Sequence, residues 1–129
     1  MKILFLDDDK NRTKKFKSLV PKAETVETVN SCIKKLKENM YDYVFLDADL
    51  NGETFADQNL PIHGMEVVRW ASKNKTQVIN FIVHYLNYNV AQEMLRILGE
   101  IGYNVNYIPY PLLVNDKNLL LKLNGGSNS

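Results

Sequence analysis

The sequence contains two short apolar runs that each stop abruptly at aspartate. Residues 2–6 run into the three aspartates at 7–9, and residues 41–46 run into Asp47. Buried parallel strands are apolar along their length, and the chain turns polar where such a strand reaches the edge of its sheet. Ligand sites of open α/β sheets lie outside the carboxyl ends of the strands. The two runs therefore predict parallel strands that bring aspartates to one edge.

The rest of the chain alternates between strand and helix patterns. Predicted strands lie at residues 2–6, 25–29, 41–46, 78–83 and 105–108. Apolar residues at helical spacing follow each of them, with the last helix at about residues 115–123. Parallel strands need crossover helices of right-handed sense. The pattern predicts an α/β domain with a single doubly wound five-stranded parallel sheet and helices on both faces.

Several helix boundaries follow from individual residues. Asp9 is a preferred helix-capping type and is expected to cap the first helix, and either Asn30 or Ser31 is expected to cap the second. The fourth helix is expected to be closed by Gly99 and Gly102.

Length and composition indicate an ordinary single domain. The chain has 129 residues and a formal net charge of +1, so charge provides no overall drive toward nucleic acid or anionic lipid. The lone Cys32 sits at an apolar helix position and is expected to pack rather than react. Without a signal or membrane-spanning pattern, a cytoplasmic location is expected. Residues 1–123 are predicted to form the domain and 124–129 a flexible tail.

The acidic residues at the strand ends predict a cation site. Carboxylates gathered at one edge repel one another unless a cation neutralises them, and oxygen ligands open to solvent favour Mg²⁺ or Mn²⁺. Asp7, Asp8 and Asp47 are the predicted ligands, while Asp9 is assigned to the helix cap. Asp49 either faces the same pocket or only begins the loop that follows.

Two histidines are candidates for chemistry at this edge. His84 follows the strand at residues 78–83, so its imidazole is predicted near the carboxylates, where it could shuttle a proton or bind phosphate. The alternative is a hydrogen-bonded core histidine. His63 lies in the long loop at residues 49–63 and is favoured as structural.

The order of strands and aspartates resembles the receiver domains of two-component signalling. In that family, two acidic residues after the first strand and the Asp after the third hold a divalent cation, and the latter accepts a phosphoryl group. The matching residues here are Asp7 and Asp8, or Asp8 and Asp9, together with Asp47. The resemblance implies the flavodoxin-like strand order 2-1-3-4-5. Receivers also carry Ser or Thr after the fourth strand and Lys before a Pro after the fifth, whereas this chain has His84, and Ile108 before Pro109.

These departures are shared by the cyclic-phosphate processing receiver-like domains, which the chain resembles more closely. Their motifs are Leu-Asp-Asp-Asp, Leu-Asp-His-Asp-Leu and His-Ser-Leu-Asn. This chain has Leu-Asp-Asp-Asp at residues 6–9, Leu-Asp-Ala-Asp-Leu at 46–50 and His-Tyr-Leu-Asn at 84–87. Ala48 thus replaces the family histidine. The resemblance implies a role for Asn87, which could donate to a phosphate oxygen.

Three functional hypotheses follow. The first is a metal-dependent phosphoesterase acting on cyclic phosphates of nucleotides or RNA ends, with Asp47 and His84 catalytic and with Asn87 and Asp49 binding phosphate. The second is an atypical receiver that signals or binds a ligand without catalysis. The third is a scaffold that binds a partner through tyrosines, which enrich interfaces. Its candidates are Tyr103, Tyr107 and Tyr110.

Basic residues on the first helix raise the question of nucleic-acid contact. Arg12, Lys14, Lys15 and Lys17 are predicted to form its outer face. Such residues could attract a polynucleotide phosphate, although on an exposed helix they usually only solvate it.

Overall fold

Five parallel strands and six helices form the described part of the chain. A computed structural model describes residues 1–48 and 64–125. The strands are β1 (Ile3–Leu6), β2 (Glu24–Val26), β3 (Tyr41–Leu46), β4 (Val78–Val83) and β5 (Asn104–Tyr107). The helices are α1 (Lys10–Leu19), α2 (Val29–Glu38), α3 (Met65–Lys73), α4 (Tyr88–Ile101), α5 (Tyr110–Leu113) and α6 (Lys117–Leu123).

The sheet has the order β2-β1-β3-β4-β5, with every neighbouring pair parallel. The predicted fold class and strand order are confirmed. Leu6 pairs with Leu46, and Leu46 pairs with Val83, so the central strands β1, β3 and β4 end at the same level. The residues that follow Leu6, Leu46 and Val83 therefore lie side by side at the carboxyl edge of the sheet.

Strand alternation divides the core between the two faces of the sheet. Leu4, Val44 and Phe81 belong to one buried cluster, which includes residues of α2, α3 and α4. Phe5, Phe45 and Ile82 belong to the other, with residues of α1, α5 and α6 packed on it. Because side chains of a strand alternate between faces, the residue two positions beyond each member of the second set continues that face. Those residues are Asp7, Asp47 and His84.

The second helix begins earlier than its predicted cap. The N-cap of α2 is Thr28, whose hydroxyl accepts from the Ser31 amide at 3.1 Å, and the Ser31 hydroxyl in turn accepts from the Thr28 amide. The prediction of Asn30 or Ser31 as the cap was wrong. The strand predicted to reach residue 29 ends at Val26. Beyond it, the Thr28 amide bonds to the Ser31 side chain in the capping box and not to a neighbouring strand.

The carboxyl-terminal part of the chain differs from its predicted outline. A short helix, α5, follows Pro109 directly, and α6 begins at Lys117 after an Asp116 cap. Gly99 lies inside α4, and only Gly102 ends that helix, with a left-handed φ of 112°. The predicted boundary between domain and tail stays a prediction.

Other elements follow their predictions. Both β3 and β4 have the predicted bounds. Cys32 is fully buried, and burial raises the pKa of its thiol to about 12, in keeping with a packing role. Among the helices of residues 1–48 and 64–125, none has the length and apolar character needed to cross a membrane.

Candidate functional site

Three ionisable side chains meet at the carboxyl edge of the sheet. Asp7, Asp47 and His84 each follow a central strand, and each offers a ligand atom within 4.8 Å of the others. Backbone amides extend the hydrogen bonding of the sheet to this point, since Asp47 donates to the Leu6 carbonyl and His84 donates to the Leu46 carbonyl at 3.0 Å. The register of the strands thus fixes this cluster, as the sequence predicts.

The cluster is buried. The exposed fractions of Asp7, Asp47 and His84 are 0%, 2% and 1%. The imidazole of His84 stacks on Phe5, with ring centroids 4.7 Å apart, and its Nε2 lies 3.1 Å from Asp7 Oδ2. Buried charges of this kind are stable only when they are paired or hydrogen-bonded.

The two aspartates differ in their tendency to ionise. Burial alone would raise the pKa of Asp7, but hydrogen bonds from His84 and Arg12 outweigh it and hold that pKa below its ordinary value. Burial, reinforced by the neighbouring Asp7 charge, raises the pKa of Asp47 to about 8. One carboxylate is therefore charged at neutral pH, while the other largely keeps its proton.

The imidazole of His84 is neutral in this surrounding, because burial lowers its pKa. Since the ionised Asp7 can only accept, Nε2 of His84 carries the proton and donates it. The other ring nitrogen, Nδ1, is buried and has no hydrogen-bond partner among residues 1–48 and 64–125. It offers a lone pair to a ligand or a proton.

Arg12 completes the site, although its sequence position suggested the outer face of the first helix. Its Nε lies 2.8 Å from Asp7 Oδ2, and its Nη2 lies 3.3 Å from Asp47 Oδ2. Phe16, four residues later, is fully buried against Phe5. Residues four apart share a helix face. The outward prediction was wrong for Arg12, whereas Lys14, Lys15 and Lys17 are exposed.

Tyr110 holds Arg12 from the opposite side. Its hydroxyl donates to the Arg12 carbonyl at 3.1 Å, and the Arg12 guanidinium lies 5.9 Å from its ring centroid. The Tyr110 amide donates to the His84 carbonyl. Of the other tyrosines in the scaffold hypothesis, Tyr103 packs edge-on against Phe81 in the opposite core. Tyr103 and Tyr110 thus lie on opposite faces of the sheet.

The remaining predicted site residues are less closely tied to the cluster. Asp9 caps α1 by accepting from the Arg12 amide, which confirms that assignment. Asp8 is half-buried and is not part of the group formed by Asp7, Asp47 and His84 within the described chain, so its role as a ligand stays a prediction. Asp49 and His63 lie outside the described residues.

Asn87 has a structural role that limits its predicted one. It caps α4, and its side-chain oxygen accepts from the Val90 amide at 3.3 Å. This bond uses the side-chain oxygen, and the donation from the Asn87 amide nitrogen to a phosphate oxygen stays a prediction.

The backbone on either side of residues 49–63 meets directly beside Asp47. The Gly64 amide donates to the Ala48 carbonyl at 2.7 Å. A Cβ at Gly64 would lie 1.9 Å from the Asp47 carbonyl oxygen, so only glycine fits here. Ala48, which replaces the family histidine, is fully buried in the core next to this contact.

The sequence comparisons identify the family. Residues 2–100 match the family described as "Cyclic-phosphate processing Receiver domain". The chain belongs to this family. The resemblance predicted from its motifs is thereby confirmed. No curated protein matches the sequence.

Solved structures of receivers share the fold. A response regulator from Colwellia psychrerythraea is 17% identical, with a TM-score of 0.69 and 96% of each chain covered. The non-phosphorylated HemR receiver domain from Leptospira biflexa is 20% identical, with a TM-score of 0.67 and coverage of 99% of this chain and 97% of that one. The TrrA response regulator from Thermotoga maritima, in complex with Mg²⁺-BeF, is 22% identical with a TM-score of 0.61, covering 93% and 98%.

Proposed function

We propose that this domain is a metal-dependent phosphoesterase that opens cyclic phosphates of nucleotides or RNA ends. The observation that carries the proposal is the buried convergence of Asp7, Asp47 and His84 at the carboxyl edge of the sheet. Two carboxylates and an imidazole at one site can bind a divalent cation and transfer protons, and cation-assisted phosphate chemistry needs both. Membership of the cyclic-phosphate processing family supports the choice of substrate class.

The donor set fits Mg²⁺ or Mn²⁺. Burial and the neighbouring Asp7 charge raise the pKa of Asp47, and a bound cation would favour its ionised form. TrrA, which shares this fold, was solved in complex with Mg²⁺-BeF, and this supports magnesium as a candidate cation. In our proposal Asp7, Asp8 and Asp47 would hold the cation through their carboxylate oxygens.

Hydrolysis of a cyclic phosphate forms one P–O bond to water and breaks one P–O bond to the ribose. When bound, the cation polarises the phosphoryl group and favours ionisation of the attacking water. His84 accepts the water proton at Nδ1, which has no hydrogen-bond partner among residues 1–48 and 64–125, and returns a proton to the departing ribose oxygen. Asp7, which accepts from Nε2, keeps the imidazole in the required tautomer and orientation. The product is a phosphomonoester.

A panel of 2′,3′-cyclic nucleotides and RNA with cyclic phosphate ends tests the proposal. We expect turnover with Mg²⁺ or Mn²⁺ and none with a chelator, measured by chromatography of the products. Asp47→Asn, which removes one buried carboxylate, is expected to abolish turnover, whereas Asp116→Asn, which changes a helix cap outside the group of Asp7, Asp47 and His84, should leave it unchanged. Absence of cation-dependent turnover across the panel contradicts the proposal.

Replacing His84 by asparagine separates proton transfer from cation binding. General acid–base catalysis contributes about 10² to 10⁴ in rate, so we expect His84→Asn to lower kcat at least about 100-fold. Cation affinity, measured by calorimetry, should change far less than kcat because both carboxylates remain. A variant that keeps wild-type kcat would remove His84 from the mechanism.

An atypical receiver without catalysis is the second candidate. It is favoured by Arg12, which contacts both Asp7 and Asp47 and so provides the site with a positive charge from the chain itself. Incubation with a small phosphodonor and Mg²⁺, followed by intact-mass measurement, distinguishes the candidates. A stable adduct lost in Asp47→Asn, without turnover of cyclic phosphates, supports the receiver.

A further inference from the structure

The Arg12 guanidinium lies where the two carboxylates would share a cation. Its Nε and Nη2 contact both oxygens of Asp7, at 2.8 and 3.0 Å, and the same Nη2 reaches Asp47 Oδ2 at 3.3 Å. One side chain therefore bridges the pair. Arg12 is planar, permanently charged and well suited to such forked contacts.

Asp7 is saturated with donors while Arg12 remains in place. A carboxylate offers about four lone-pair positions. On Asp7, Oδ1 accepts from the Asp9 amide and Arg12 Nη2, and Oδ2 accepts from Arg12 Nε and His84 Nε2. These four contacts fill the carboxylate, so a divalent cation can take Asp7 as a ligand only if one of the donors departs.

Arg12 is the donor best able to depart. The Asp9 amide is fixed by the backbone, and the His84 imidazole is 1% exposed and stacked on Phe5. The Arg12 side chain is 33% exposed. Its Nη1 already lies 3.8 Å from Asp9 Oδ2, so the partly exposed Asp9 carboxylate can pair with the guanidinium after it leaves Asp7 and Asp47.

We propose that Arg12 and the divalent cation compete for Asp7 and Asp47. This inference rests on the proposed metal-dependent function and adds a residue to it. Arg12 neutralises the carboxylates in the cation-free protein and withdraws toward Asp9 when the cation binds. Tyr110 anchors the Arg12 backbone through its hydroxyl, so the guanidinium stays near the two carboxylates. Removal of the Arg12 side chain should therefore increase the affinity of the site for the cation.

Cation affinity in Arg12→Gln tests the competition. Two ligands that couple through one site typically change each other's affinity by roughly 5- to 150-fold, and we expect Arg12→Gln to bind Mn²⁺ roughly tenfold more tightly than wild type. Free Mn²⁺ can be followed by electron paramagnetic resonance. Arg12→Lys, a point charge without the fork, should fall between the two. Arg96→Gln removes an equal charge from exposed pairs on α4 and should match wild type.

If Arg12 only stabilised the fold, its replacement would weaken Mn²⁺ binding instead of strengthening it. Without cation, Arg12→Gln is expected to melt below wild type because two buried carboxylates lose their partner. Saturating Mn²⁺ should then raise its Tm by more than it raises the wild-type Tm, as mass action requires for tighter binding. Equal or weaker Mn²⁺ binding by Arg12→Gln overturns the competition, as does failure of both proteins to bind Mn²⁺. Tighter binding without cyclic-phosphate turnover contradicts only the phosphoesterase proposal.

Discussion

Replacing Gly64 by alanine is expected to destabilise the domain by at least about 3 kcal/mol. The added Cβ would lie 1.9 Å from the Asp47 carbonyl oxygen and 2.8 Å from Ala48 Cα. Both are backbone atoms at the end of β3, so no side chain can rotate away to make room. The clash must either separate Gly64 from Ala48 or displace Asp47 itself. Urea unfolding followed by circular dichroism measures the change.

Gly99 provides a matched control for this substitution. A Cβ there would meet only Val105 Cγ2, at an ordinary 3.6 Å, and Gly99 lies within α4. Alanine is favoured over glycine inside a helix by about 0.5–1 kcal/mol, so Gly99→Ala should stabilise the protein slightly. If Gly64→Ala unfolds at the same urea concentration as wild type, the close approach to Asp47 is not a constraint on the fold.

Asp47→Asn is expected to stabilise the cation-free protein increasingly as pH rises. In the folded protein Asp47 holds its proton up to a pKa of about 8, whereas the unfolded chain loses it near its ordinary value of 3.8. Between these values unfolding releases a proton, so wild-type stability falls with rising pH. Asparagine has no such proton. Because each pKa unit corresponds to about 1.4 kcal/mol, the variant should gain on the order of a few kcal/mol.

The measurement is urea unfolding of wild type and Asp47→Asn from pH 4 to 9 with a chelator present. The difference in unfolding free energy should grow between about pH 4 and pH 8 and then stay constant. Asp7 contributes in the opposite direction, because its lowered pKa adds stability that is lost on acidification, but most of that loss falls below pH 4 and so outside this range. Asp116→Asn, a cap replaced by an equally good cap, should show little change across the range. A flat difference for Asp47→Asn would contradict the raised pKa.

The central part of the fold follows directly from the sequence. The runs that end at Asp7, Asp47 and His84 are mostly apolar and are buried in the three or more residues before the ionisable one, as is typical of central parallel strands. Once these strands are aligned, the meeting of the three side chains is a matter of register. The edge elements were harder to delimit, because β2 has three residues and Thr28 ends its pattern with a cap.

Arg12 could not be placed from composition, because an arginine among lysines on a helix usually faces solvent. The signal that could have placed it is its spacing from Phe16, since the aromatic anchor points into the core and Arg12 lies four residues before it. Local spacing gave no such clue for Tyr110, whose contact with Arg12 joins residues 98 positions apart. The sequence of residues 49–63 has little periodicity. Whether Asp49 faces the acidic site or only begins the loop therefore stays a prediction.

The hydrogen bond between Gly64 and Ala48 also has a consequence for insertions. It holds Ala48 and Gly64 together at the two ends of the intervening segment. Closing a flexible chain between fixed ends costs only about 0.6 kcal/mol more for each doubling of its length. A foreign peptide inserted between these two residues should therefore leave the register of β3, and with it the position of Asp47, unchanged.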